Sequence, residues 1–94
     1  MATAPLPEHV DGDVVAYVTP YCGFCRAAEH LFNTRGIDFV RIDVSRDPTA
    51  RAWLVERSGQ RTVPQIFIKG QSIGGYTELA GLDSRGELRE LLAG

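Results

Sequence analysis

The stretch that most constrains this chain is "VVAYVTPYCGFCRAAEH", Val14 to His30. It opens with an apolar run of mainly β-branched and aromatic residues, the pattern of a strand buried on both faces. Pro20 ends the run. From Gly23 the spacing turns helical: Phe24, Ala28, Leu31 and Arg35 fall at i, i+4, i+7 and i+11, with Ala27 and Phe32 widening the apolar stripe. Gly36 stands at the usual helix stop. Cys22 and Cys25, the only cysteines of the 94 residues, sit where strand gives way to helix.

The remainder extends this alternation. "IDFVRIDV", Ile37 to Val44, alternates apolar and polar residues as a half-buried strand does. Asp47 followed by Pro48 is a helix start, a capping side chain and then a proline in the first turn. Ala50, Trp53, Leu54 and Arg57 continue at helical spacing to Gly59. "TVPQIFI", Thr62 to Ile68, reads as a strand, "KGQ" as a tight turn and "SI" as the start of a returning strand that Gly74-Gly75 breaks. A short helix and a terminal one follow, the latter with Leu88, Leu91 and Leu92 on one face. The order is β-α-β-α-β-β-α-α. Strand–helix–strand implies a parallel pair and the tight turn an antiparallel hairpin, so the expected architecture is α/β, a four-stranded mixed sheet flanked by helices. Residues 1–12, rich in proline and small or polar residues, are expected to be a flexible arm, and residues 13–94 one domain.

Charge and hydropathy narrow the function. The formal net charge is −2, which gives no electrostatic case for nucleic acid or an anionic membrane. No run approaches the roughly 20 apolar residues of a membrane span. The start, "MATAPLPEHVDGD", has neither a basic region nor an apolar stretch, so the expected compartment is the cytoplasm. There a CxxC pair reads as catalytic or metal-binding before it reads as a staple. A zinc site needs about four ligands. Beyond the cysteines the chain offers only His9 and His30, one in the arm and one on the helix of the pair.

Placement makes the pair redox-active in this reading. Cys22 falls at the first turn of a helix, where free N–H groups and the helix dipole favour an anion, and the thiolate is the nucleophile. Cys25 lies one turn further in, able to close a disulfide and expected to be more buried and less acidic, which suits a resolving thiol. Two more features stand apart from ordinary strand and turn grammar. Pro64 falls in "TVPQ", where a sheet ladder would want an N–H. A cis Val63–Pro64 bond would account for it, and so would a trans proline at the strand's first residue. In "IGGYTEL" two glycines permit a close approach, and Thr77 is a candidate N-cap of a helix whose start can hold a carboxylate, though a plain strand-to-helix turn would look the same.

Taken together, "YVTPYCGFC", "RSGQRTVPQIFI" and "IGGYTEL" resemble the glutaredoxin family from about Asp13 to Leu92. The resemblance implies the thioredoxin fold and reduction of protein disulfides and protein–glutathione mixed disulfides, with glutathione as cosubstrate. It implies Cys22 as nucleophile and Cys25 as resolving thiol. Around glutathione it implies Phe24 as the aromatic neighbour and Thr62, Val63 and Pro64 as a cis-proline loop. Val63 would pair through its backbone with the glutathione cysteine, and Gln60 would reach the glycine carboxylate. Gly75, Tyr76 and Thr77 would form the turn at the γ-glutamyl end. The expected partners are glutathione and disulfide-containing or glutathionylated proteins, with a monomeric apo form.

The chain departs from the family pattern at three places. Thr19 occupies a glutathione-side position that is usually lysine, with Arg26 and Arg61 as candidate replacements for its charge. Thr77 replaces a commoner aspartate or serine. The centre of the motif is Gly23-Phe24 where Pro-Tyr is commoner. Gly-Phe occurs in the monothiol class, but Cys25 and "TVPQ" align this chain with the dithiol class. Proline after the first cysteine disfavours cluster binding in the family. Its absence supports an alternative, a dimer carrying a [2Fe-2S] cluster on Cys22 of each copy and two glutathiones. A thioredoxin-like reductant without glutathione is a third reading, against which "GQRTVPQ" and "GGYTEL" argue.

Overall fold

The computed structural model describes residues 3–93. A single 3-10 turn, Pro7–His9, precedes strand β1 (Val14–Val18), helix α1 (Gly23–Thr34), β2 (Val40–Asp43), α2 (Pro48–Ser58), β3 (Gln65–Ile68), β4 (Gln71–Gly74), α3 (Tyr76–Ser84) and α4 (Glu87–Ala93). The four strands form one sheet in the order β2-β1-β3-β4. β1 runs parallel to β2, with Val15 opposite Val40, and antiparallel to β3, with Tyr17 opposite Gln65; β3 and β4 form the hairpin. This is the α/β sheet with flanking helices that the element order implies.

Period-two alternation along β1 divides the core between the two faces of the sheet. Val14, Ala16 and Val18 join Ile66 and Ile68 on one face and pack under Ala28 and Phe32 of α1, Leu79 of α3 and Leu88 of α4. Val15, Tyr17 and Phe67 face the other way, onto Ala50 and Leu54 of α2. Every residue of β1 is buried, so both faces must be covered and the strand shows no polar position. Tyr17 meets the rings of Trp53 and Phe67 edge-on, with centroids 5.2 and 5.6 Å away.

Some boundaries differ from the sequence expectation. β2 begins at Val40, not Ile37, because only Val40–Asp43 register against β1. β3 begins at Gln65, after the proline, since Thr62 to Pro64 lie outside the ladder. β4 includes Gln71 and Gly74, and its hairpin turn is Lys69-Gly70, both with positive φ (51° and 83°), a two-residue connection matched to strand twist. α2 starts as read, with Asp47 Oδ1 accepting the Ala50 N–H at 3.0 Å, and stops at Gly59 in the left-handed region.

The largest difference concerns the arm. Residues 4–10 are tied to the body. The Ala4 N–H donates to Asp47 Oδ2 at 2.6 Å, the Tyr17 hydroxyl donates to the Pro5 carbonyl at 2.7 Å, and Pro7 is buried. Arg57 forms a bidentate pair with Glu8 at 2.6 and 2.7 Å while lying over the Trp53 ring. Composition alone favours a loose segment, but Ala4 and Val10 cover the edge of the α2-side core, and that burial holds the segment down. Residues 1 and 2 of the expected arm lie outside the described residues.

Candidate active site

Cys22 is the N-cap of α1. Its backbone is extended (φ −106°, ψ 115°), and its sulfur accepts the Cys25 N–H at 3.1 Å. The cap satisfies one of the donors a helix start leaves free, with sulfur in place of the usual oxygen. The same sulfur lies 3.5 Å from the Val63 carbonyl oxygen, to which the thiol can donate. Residues 41 positions apart are thus joined where β1 ends and β3 is about to begin. Both cysteines are free thiols; Cys22 is half-buried and Cys25 only 1% exposed. Burial, then hydrogen bonding to the Cys22 sulfur, pushes the Cys25 thiol up to about 12. The two sulfurs differ in access although only Gly23 and Phe24 separate them.

The Val63–Pro64 peptide is cis, one of the two geometries the sequence left open. Beside this loop runs a groove of about 620 Å³ lined by Phe24, by Gly59 to Pro64 and by Gly75 to Glu78. Phe24 is 65% exposed, and its ring stacks on Tyr76 (centroids 6.1 Å apart, planes at 25°). The groove therefore gathers Phe24, Gln60, Thr62, Val63, Pro64, Gly75, Tyr76 and Thr77, drawn from three separate segments of the chain. It also takes in Arg61, the one basic residue along it.

Two expectations about the site are corrected. Thr77 is not the N-cap of α3. That position is Gly75, whose N–H is taken by Glu78 Oε1 at 2.7 Å, and Thr77 is the second residue of the helix. Both glycines are needed for this packing. Gly74 has φ 115°, and a Cβ there would stand 2.6 Å from Glu78 Oε1, while one on Gly75 would stand 3.3 Å from the Pro64 carbonyl. Thr19 does not join the groove. It lines a separate depression of about 970 Å³ with Tyr21, Arg46 and Asp47, on the α2 side of the Cys22 turn. Arg26 is exposed on α1, and among the described residues its side chain makes no hydrogen bond or ion pair to Cys22. The reading of the sequence passed over Gln65, which is 1% exposed. An amide at the head of the apolar run Ile66–Ile68 was the signal.

A thiol at a helix start, facing a cis-proline loop on a thioredoxin-type sheet, defines a thiol–disulfide oxidoreductase. Comparison with known proteins narrows the class. The glutaredoxin family model matches residues 14–73. Glutaredoxin 3 of Escherichia coli is 39% identical over 80 residues, covering 85% of this chain and 96% of that protein. A Neisseria meningitidis glutaredoxin is 43% identical over 82 residues, covering 84% and 94%. A buckwheat glutaredoxin, in complex with glutathione, superposes with a TM-score of 0.83 at 30% identity over 87% of this chain and 77% of that one. The chain belongs to the glutaredoxin family.

Among the described residues no group of three or more His, Cys, Asp or Glu side chains is arranged to hold a metal ion. No helix among them is long and apolar enough to cross a membrane.

Proposed function

We propose that this protein reduces protein–glutathione mixed disulfides with glutathione as cosubstrate, in the cytoplasm. The observation that carries this reading is the Cys22 sulfur 3.5 Å from the Val63 carbonyl, at the edge of the groove that Phe24, Thr62, Val63 and Tyr76 line. A γ-glutamyl tripeptide in that groove would run along the Val63 backbone with its sulfur at Cys22. In this reading Gln60 and Arg61 would meet the glycine carboxylate, and Tyr76 and Thr77, in the first turn of α3, the γ-glutamyl end; all four line the groove. The glutathione complex of the buckwheat relative supports the same ligand.

The Cys22 thiolate attacks the glutathione sulfur of the mixed disulfide. The S–S bond breaks, the substrate protein leaves as a thiolate that takes up a proton, and Cys22 carries glutathione. A second glutathione thiolate then attacks the glutathione sulfur on Cys22, releasing oxidised glutathione and the Cys22 thiolate. For a protein disulfide, Cys22 instead forms a mixed disulfide with the substrate. Cys25, once deprotonated, attacks the Cys22 sulfur, forming the Cys22–Cys25 disulfide and releasing the substrate as a dithiol; two glutathiones then reduce that disulfide and leave as oxidised glutathione. The buried Cys25 thiol remains protonated near neutral pH, which leaves the Cys22–glutathione disulfide open to external glutathione. Turnover of a glutathionylated peptide in the presence of glutathione tests the reading; its absence would refute it.

One observation favours the second reading. A Cβ built on Gly23 meets no atom within 4 Å, so the face of the Cys22 turn is open. Cys22 alone would serve as this chain's ligand to a [2Fe-2S] cluster, which calls for a second copy and glutathione thiols. The absorption spectrum of protein purified anaerobically with glutathione separates the two: a brown dimer for the cluster, a colourless monomer for the reductase.

A further inference from the structure

We propose that Gln65 is a positioning residue that turns two backbone N–H groups of the Gln60–Pro64 loop toward the glutathione groove; the inference rests on the glutathione reading above. Gln65 is the only fully buried polar side chain among the described residues. It stands at the first position of β3, and its Nε2 donates to the Thr62 carbonyl at 2.7 Å and the Gln60 carbonyl at 3.2 Å. These bonds fix the amide's orientation, since the reverse one would press its oxygen against two carbonyl oxygens. The loop has no ladder partner. Its other anchors are the Ser58 hydroxyl, which accepts the Gln60 N–H at 3.1 Å and also lies 3.2 Å from the Gln60 carbonyl, Arg51 Nη2, 3.4 Å from the Arg61 carbonyl, and the Cys22 thiol, 3.5 Å from the Val63 carbonyl.

The consequence follows from peptide planarity. In a trans peptide the C=O and the next residue's N–H point in opposite directions. The Gln60–Arg61 and Thr62–Val63 peptides are both trans. Drawing the Thr62 carbonyl inward to Gln65 sends the Val63 N–H outward, and drawing the Gln60 carbonyl inward does the same for the Arg61 N–H. Neither N–H finds a partner among the described residues, and both residues line the groove. The loop thus presents one donor beside Cys22 and one where a carboxylate would lie.

The other end of the Gln65 amide argues against a purely stabilising role. Its Oε1 is buried without a hydrogen-bond partner among the described residues, an arrangement that costs stability. An apolar side chain of the same length would avoid that cost and still fill the space. The loop carbonyls could then turn to water, because Gln60, Arg61 and Thr62 are exposed.

The test is steady-state kinetics of Gln65→Met on one peptide in two forms, carrying glutathione or carrying cysteine as the mixed disulfide, with dithiothreitol as the common reductant. The expected result is about a 10-fold rise in KM for the glutathionylated form, the size of one or two lost hydrogen bonds to ligand, with kcat and the cysteinylated form within twofold of wild type. Gln65→Glu, of the same shape but with at most one donor, is expected to raise the same KM. An unchanged KM in both variants, or equal losses on the two peptides, would overturn the inference. A wild-type protein that shows no preference for the glutathionylated peptide would instead remove the glutathione reading, and the inference with it.

Discussion

The Cys25 N–H donates to the Cys22 sulfur at 3.1 Å, while the Cys25 side chain turns under the helix and is 1% exposed. One backbone hydrogen bond thus ties the reactive sulfur to the residue that carries its buried partner. In the proposed mechanism the chemistry divides accordingly: one sulfur meets external thiols and disulfides, and the other is held in reserve as a protonated thiol.

That division predicts selective labelling. Burial and the Cys22 sulfur push the Cys25 thiol up to about 12, so at pH 7.5 iodoacetamide should modify the native protein once, at Cys22. In denaturant both cysteines should react. Peptide mapping by mass spectrometry reads the result, and label on Cys25 in the native protein would contradict the burial argument.

The Phe24–Tyr76 stack closes one side of the groove across 52 residues of sequence. Stacked pairs are worth about 0.5–1.5 kcal/mol beyond burial, and Tyr76 also contacts the α1-side core. Tyr76→Ala and Phe24→Ala should therefore each raise KM for a glutathionylated peptide several-fold, and Tyr76→Ala, which also loses core contacts, should lower the melting temperature more than Phe24→Ala does. Equal KM values in both variants and wild type would place the ligand elsewhere.

The pair formed by Glu8 and Arg57 gives a pH signature. The Arg57 guanidinium, and then the residue's own backbone N–H, lower the Glu8 carboxyl from 4.5 to about 2. A carboxyl depressed on folding contributes stability above its unfolded value and loses it as pH falls toward its folded value. The stability difference between wild type and Glu8→Gln should hold above pH 5 and vanish by about pH 2. Thermal melts across that range test it, and a difference that grows on acidification would reverse the sign.

Tyr17 offers a cleaner probe of how the N-terminal segment is held. Its hydroxyl donates to the Pro5 carbonyl at 2.7 Å, and its ring is fully buried. Tyr17→Phe keeps the edge-on packing and deletes one hydrogen bond, so it should cost about 1 kcal/mol and several degrees of melting temperature. It should also speed proteolysis within residues 3–10. Unchanged proteolysis would mean that the hydroxyl does not hold the segment.

The sequence shows the element order and the thiol site because their signals are local. A run such as "VVAYV", rich in β-branched and aromatic residues and ended by a proline two residues on, has the pattern of a strand buried on both faces, and a cysteine just before a helical stripe stands at the stripe's start. What escaped it depends on contacts between distant segments. Pro5 and Glu8 read as arm residues until Tyr17 and Arg57 are brought beside them. Thr77 has the composition of a cap, yet Gly75 precedes it and Glu78 completes the turn. Thr19 adjoins the motif in sequence but faces the α2 side of the molecule. Gln65 does not stand out in the sequence because its partners, the Gln60 and Thr62 carbonyls, are backbone atoms that no residue pattern reveals.

The most direct measurement of the central claim is the rate of glutathione-dependent reduction of a glutathionylated peptide by Cys22→Ser and Cys25→Ser. The account predicts loss of at least about 1,000-fold for Cys22→Ser, as removal of a nucleophile entails, and retention of activity within a few-fold for Cys25→Ser. Full activity in Cys22→Ser, or loss of activity in Cys25→Ser alone, would contradict it.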